Sequence, residues 1–164
     1  MNLLMALVAI TLSSGAQHST MPAGMSHEEH QKQMQKDAAL KKRGADAMGF
    51  DQDTTVHHFR LSAKGGSIEV EVLRPADIAT RDQIRTHLKQ IARDFAEGDF
   101  GKPLATHAEV PPGTAEMRQR RAAMVYRYEE TPRGGRVVIE TSDGKAKAAV
   151  HTFLRYQTSE HKTR

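Results

Sequence analysis

Hydrophobic and polar positions alternate from Thr54 to Leu61 and again from Ser67 to Leu73, with Lys64-Gly65-Gly66 between them. That is the pattern of two half-buried strands joined by a tight turn. From Ala79 to Ala96 the period changes, and Ile84, His87, Leu88, Ile91, Ala92 and Phe95 fall on one helical stripe. Gly98 to Gly113 has no periodicity and ends in Pro111-Pro112-Gly113, which predicts a loop, after which Thr114 predicts the cap of a short helical turn. The pattern then starts again. Ala123 to Glu130 reads as a strand, Arg133-Gly134-Gly135 as a turn, Arg136 to Thr141 as a strand, and Asp143 to about His161 as a helix.

The two runs can be laid on one another. Aligning Gly65-Gly66 with Gly134-Gly135 puts Phe59 on Tyr128, Ile68 on Val137 and Val70 on Ile139. With a short gap, Ile84, Thr86, Leu88 and Lys89 meet Val150, Thr152, Leu154 and Arg155. Two strand–strand–helix (ββα) repeats predict an α+β fold, with a four-stranded, mainly antiparallel sheet and two helices packed on one face. Strand order stays open at this point.

Alternation assigns faces. His57, Phe59 and Leu61 share the side of Ile68, Val70 and Val72, so His57 points toward the helices and His58 away from them. His87 lies within the first helical stripe, where the second unit carries Phe153. On the last helix Ala146, Ala149, Val150, Phe153, Leu154 and Gln157 form the stripe; His151 flanks it and His161 returns to it. His107 falls in the loop before the prolines. Two inward imidazoles with His107, His151 or His161 in reach form a candidate site for a divalent transition metal, copper or zinc, because imidazole is a ligand that suits both. The competing reading is that His57 and His87 are core side chains bonded to backbone or to each other.

The segment ahead of the repeats is different. Leu3 to Leu12 is an apolar run too short to span a bilayer, followed by Ser14-Gly15-Ala16, so residues 1–16 read as a secretory signal peptide. A polar tether over 17–49 follows, with Ser26 and Glu29 in a capping-box pattern and a helix predicted across 27–43, stopped at Gly44. Its apolar stripe is slight, which predicts loose docking. Met21, Met25, His27, His30 and Met34 cluster there with His18, and thioether and imidazole donors together suit copper, so they form an auxiliary metal site in this reading. Residues 50–164 form the duplicated domain.

Composition narrows the chemistry. The 164 residues contain no Cys, which removes disulfides, thiolate ligands and cysteine nucleophiles, while nine His and eight Met remain. Twenty-four basic against twenty acidic residues give +4, too mild a balance to identify a partner. Neither a phosphate-binding glycine loop nor a nucleophile elbow is present. The arginines at 118, 120, 121, 127, 133 and 136 read as a solvated face, and export argues against nucleic acid.

From Met48-Gly49-Phe50 onward the chain resembles a family of small exported bacterial proteins with no assigned activity. Thr55-Val56-His57-His58-Phe59, the Gly-Gly hairpin, Ile84-Arg85-Thr86-His87-Leu88, Gly98-Asp99-Phe100, Pro111-Pro112-Gly113 and Ala149-Val150-His151-Thr152-Phe153-Leu154-Arg155 carry the resemblance. Members are sometimes labelled aspartate carbamoyltransferase, an enzyme of nearly twice this length whose carbamoyl-phosphate segment is missing here. The resemblance implies export and fold and adds little about mechanism.

The expectation is an exported, periplasmic or secreted, metal-handling protein with copper or zinc as cargo and no stable membrane insertion after signal removal. Two alternatives accompany it: a non-enzymatic module that forms a homodimer or binds an envelope partner through its open sheet face, and a small histidine-dependent hydrolase or lyase. The enzyme reading would need a pocket at His107 with converging donors.

Overall fold

The computed structural model describes residues 26–161. Residues 1–16, read above as a signal peptide, and Met21 and Met25 lie outside the described residues. The elements are α1 (His27–Met48), β1 (Thr55–Ser62), β2 (Gly65–Val72), α2 (Ile78–Glu97), α3 (Gly101–His107), α4 (Thr114–Gln119), β3 (Met124–Thr131), β4 (Gly134–Thr141) and α5 (Gly144–Glu160), with single 3₁₀ turns before β1 and β3. The architecture is α+β, as expected.

The strands form one antiparallel sheet in the order β1-β2-β4-β3. Residues directly opposite one another share a face, so register identifies the core side: Thr55 with Val72, His57 with Val70, Phe59 with Ile68, Ile68 with Val137, and Val137 with Tyr128. Val70, Val72, Val137 and Ile139 are fully buried there under Ile84, Leu88, Phe95, Val150, Phe153 and Leu154 of the two long helices. Each such side chain contributes about 1.5–3 kcal/mol relative to exposure.

The helices are placed crosswise. α2 follows β2 in the chain but packs mainly on β3 and β4, whereas α5 follows β4 and packs chiefly on β1 and β2. Arg85 on α2 fixes this arrangement by donating to the carbonyls of Gly134 (3.0 Å) and Thr131 (2.9 Å) at the second hairpin turn. From that turn Arg133 reaches back to the carbonyls of Val72 and Leu73 at the end of β2.

Four local expectations need correction. The glycine pairs are not the turns: Ser62 pairs with Gly65 and Thr131 with Gly134, so Ala63-Lys64 and Pro132-Arg133 turn the chain. The glycines stand in β2 and β4 because the central strand pair crowds them; a Cβ on Gly65 would lie 2.2 Å from the Ile139 carbonyl oxygen, and one on Gly134 2.0 Å from that of Val70. Helix α1 does not stop at Gly44. It runs on to Met48 and ends where Gly49 (φ 79°) supplies the left-handed cap, while Gly44 lies buried against the Gln52 amide. Gly98 to Gly113 is not all loop, since α3 forms within it with Pro103 in its first turn, where no helical N–H is needed. Thr114 opens α4 without capping it, its hydroxyl donating instead to the Pro111 carbonyl at 2.7 Å.

The capping box at Ser26 and Glu29 is present, and α1 is exposed along most of its length as its weak stripe predicts. It docks near its end, where Arg43 Nε donates to the Thr106 carbonyl on α3 at 3.2 Å. Among the described residues no helix is long and apolar enough to cross a membrane.

Candidate functional site: a cavity ringed by imidazoles

Where the first hairpin meets α2, α3 and the end of α5, a small cavity of about 60 Å³ is lined by His57, His87, His107 and His161 together with Met48 and Phe59. Each histidine comes from a different place in the chain. Mid-strand alternation turns His57 inward on β1, the apolar stripe carries His87 on α2, and His107 is the last residue of α3. His161 is the C-cap of α5, its own N–H bonded to the Gln157 carbonyl at 3.0 Å. His57 and His107 are each only 8% exposed.

The rings touch in a chain. His57 and His161 lie nearly parallel (13°) with centroids 5.2 Å apart, and His107 meets His161 edge-on at 5.2 Å. Phe59 adjoins both His57 (6.2 Å) and His161 (5.5 Å). His87 is joined to this group through Phe50, whose ring lies 5.7 Å from His87 and 6.3 Å from His57. His151 is elsewhere: its Nε2 is 3.1 Å from the Ser62 carbonyl oxygen, over the first hairpin turn. His27, His30 and Met34 lie on exposed or half-exposed positions of α1 and do not line the cavity.

These surroundings keep the imidazoles neutral. Burial pushes His57 down to about 4, helped by the neighbouring His87 and His58. His87 is likewise lowered to about 4 by burial and by the Lys102 cation, with Asp94 opposing. His161 falls to about 3 through burial and the adjacent His57 and His107. Burial also lowers His107, against the opposing hydrogen bond to Gln157 and the nearby carboxylates of Glu160 and Glu109.

Two of these rings carry buried nitrogens with no hydrogen-bond partner among the described residues, Nε2 of His57 and Nδ1 of His107; the Gln157 amide nitrogen is a third such atom. The Gln157 Oε1 is 3.0 Å from His107 Nε2 and can only accept, so His107 donates from Nε2 and its Nδ1 holds the free lone pair. An imidazole so fixed is prepared to coordinate or to accept a proton.

The cavity has two neighbours. His87, Met48 and Lys102 also border an open groove of about 600 Å³ between α1 and α2. His107 also borders a polar depression of about 130 Å³ shared with Arg43, Glu109 and Glu160. Lys102 is committed to Asp94 at 2.7 Å, and the Tyr156 hydroxyl bonds Glu109 at 2.5 Å.

Among the described residues no three His, Asp or Glu side chains are grouped closely enough to hold a metal ion as they stand. Sequence reasoning placed His57 and His87 inward and His161 on the stripe, but it missed Met48, Phe50 and Gln157 as parts of the site. Gln157 had a readable signal, an amide within an otherwise apolar stripe. Met48 had none, because it closes a helix with little amphipathic pattern.

The opposite face of the sheet is open and polar. Arg60 pairs with Glu69 (2.5 Å), Arg136 with Glu129 (2.7 Å) and Arg127 with Glu140 (2.6 Å), while Val125 is 53% exposed among them. No family model matches the chain, and no curated protein or solved structure matches it either.

Proposed function

We propose that this is an exported metal-handling protein that binds copper, or zinc, through the imidazoles around the cavity. One observation carries the reading: four separate elements bring neutral histidines to a single ion-sized space, and buried ring nitrogens of His57 and His107 have no partner among the described residues. At about 60 Å³ the space is several-fold below the roughly 300 Å³ at which organic-ligand pockets begin. Coordination draws the rings closer by side-chain rotation, since Zn–N and Cu–N bonds are about 2 Å.

Elemental analysis of untagged protein purified from the exported compartment tests this. Bound copper or zinc at one ion per chain, lost when His57 and His87 are both changed to Ala, is the expected result. Metal-free protein that also takes up no added metal rejects it. The self-associating module is the weaker reading; Val125 favours it, but the charges around Val125 already find partners within their own sheet.

A further inference from the structure

The donors on the cavity wall bear on which metal ion it would take, a question that rests on the metal-handling reading and narrows it. The metal donors on the wall are neutral: the imidazoles of His57, His87, His107 and His161 and the thioether of Met48, with the Thr106 hydroxyl and the Gln157 amide beside them. Among the described residues the lining contains no carboxylate and one charged group, the Lys102 cation, whose partner Asp94 stands outside the wall. The cost of moving an ion out of water grows with the square of its charge, so a divalent ion pays about four times the penalty of a monovalent one of similar size. A zinc(II) or copper(II) ion would meet that cost here with no anion to offset it and with the Lys102 cation nearby. Soft monovalent ions also differ in what they need. Thioether sulfur selects copper(I), whereas tetrahedral zinc(II) sites are built from four ligands that commonly include thiolate or carboxylate. Among the described residues no three imidazoles are grouped closely enough to hold any ion as they stand, so the rings must rotate to reach one, and His57 and His107 offer nitrogens with no partner there.

We infer that the cavity is a site for a soft monovalent cation, copper(I) or silver(I), taken by imidazole nitrogens of His57, His107 and His161 with the Met48 sulfur, and that it discriminates against zinc(II) and copper(II). The groove shared by Met48, His87 and Lys102 is the route of entry, placing Met48 at the boundary between open surface and interior. This assigns Met48 a role separate from that of the tether methionines.

The test is anaerobic competition of the untagged full chain against a chromophoric copper(I) chelator, with silver(I), zinc(II) and copper(II) titrated in parallel. One copper(I) or silver(I) per chain, bound at least about 100-fold more tightly than zinc(II), is expected. Met48→Leu, which keeps the apolar bulk, and His57→Phe should each weaken copper(I) at least about tenfold while circular dichroism and the thermal transition stay those of a folded chain. A variant with Met21, Met25, His27, His30 and Met34 replaced by Ser should retain the site. Zinc(II) or copper(II) bound as tightly and lost in His57→Phe would overturn the selectivity and leave metal handling standing. Copper(I) affinity unchanged in both cavity variants, or abolished by the tether variant, would overturn the assignment to this cavity. Failure of every ion to bind would remove both readings.

Discussion

Gln157 accepts the Nε2–H of His107 at 3.0 Å within the core, and this one contact decides which nitrogen of His107 is left bare. Replacing Gln157 by Leu strands the ring N–H in an apolar setting and frees the tautomer. The expected cost is about 1–2 kcal/mol in urea unfolding. Nitrogen chemical shifts of the His107 ring should move from a single Nε2–H form toward a mixture. A ring that keeps its tautomer in Gln157→Leu would show that something other than the amide sets it.

The metal-free protein should lose stability as the solution is acidified through the mildly acidic range. Unfolded imidazoles protonate near 6.5, whereas folded His57 and His87 do so only near 4 and His161 near 3. Between those values the unfolded chain holds more protons, so the stabilisation is complete above the unfolded value and drains away as pH falls toward the folded ones. A loss of roughly 1–2 kcal/mol per imidazole by about pH 5 is expected from urea midpoints. Asp143, held below the ordinary carboxylate range chiefly by the Ala146 N–H, contributes its own loss only at lower pH. His161→Phe should flatten the slope, and a stability that rises on acidification would contradict the burial of these rings.

Gly113 precedes α4 at φ 92°, and a Cβ there would sit 2.4 Å from the Ala149 carbonyl oxygen on α5. Gly113→Ala therefore combines an unfavourable backbone angle with a steric clash against helix backbone. It should cost about 2–4 kcal/mol. Gly49→Ala is the matched control, with φ 79° but open space around the added carbon, and should cost about 1 kcal/mol. Equal losses measured by denaturant unfolding would mean that backbone angle alone governs both positions.

The exposed sheet charges should matter little. Arg136→Gln breaks the pair with Glu129 on a solvent-facing surface and is expected to change stability by less than about 1 kcal/mol. Because those charges are paired within one chain, light scattering should give the monomer mass across a wide concentration range. A stable dimer that dissociates in Val125→Lys would instead restore the interaction-module reading.

Period-two alternation made all four strands and their inward faces readable, and the helical stripes of α2 and α5 were equally plain, because burial on one side writes itself into residue order. Strand order was not readable: each hairpin specifies its own turn, but nothing local says that β2 and β4 will be neighbours. α3 was hidden by the glycines and prolines around it and by its short span. Leu61 was expected to face inward, yet at the end of an edge strand it is 42% exposed. At the site, the inward turn of His57 followed from alternation alone. The approach of His107 and His161 to it depended on how α3 and the end of α5 dock, which is a tertiary fact.

Crosswise placement of α2 and α5 has a consequence for how this molecule comes into being. A chain severed near Gly113 yields two hairpins, each carrying the roof that belongs to the other. Neither piece could shelter its own apolar side, and neither could assemble the imidazole ring. The halves must therefore find one another before either is finished, making assembly depend on distant encounters and setting its pace accordingly.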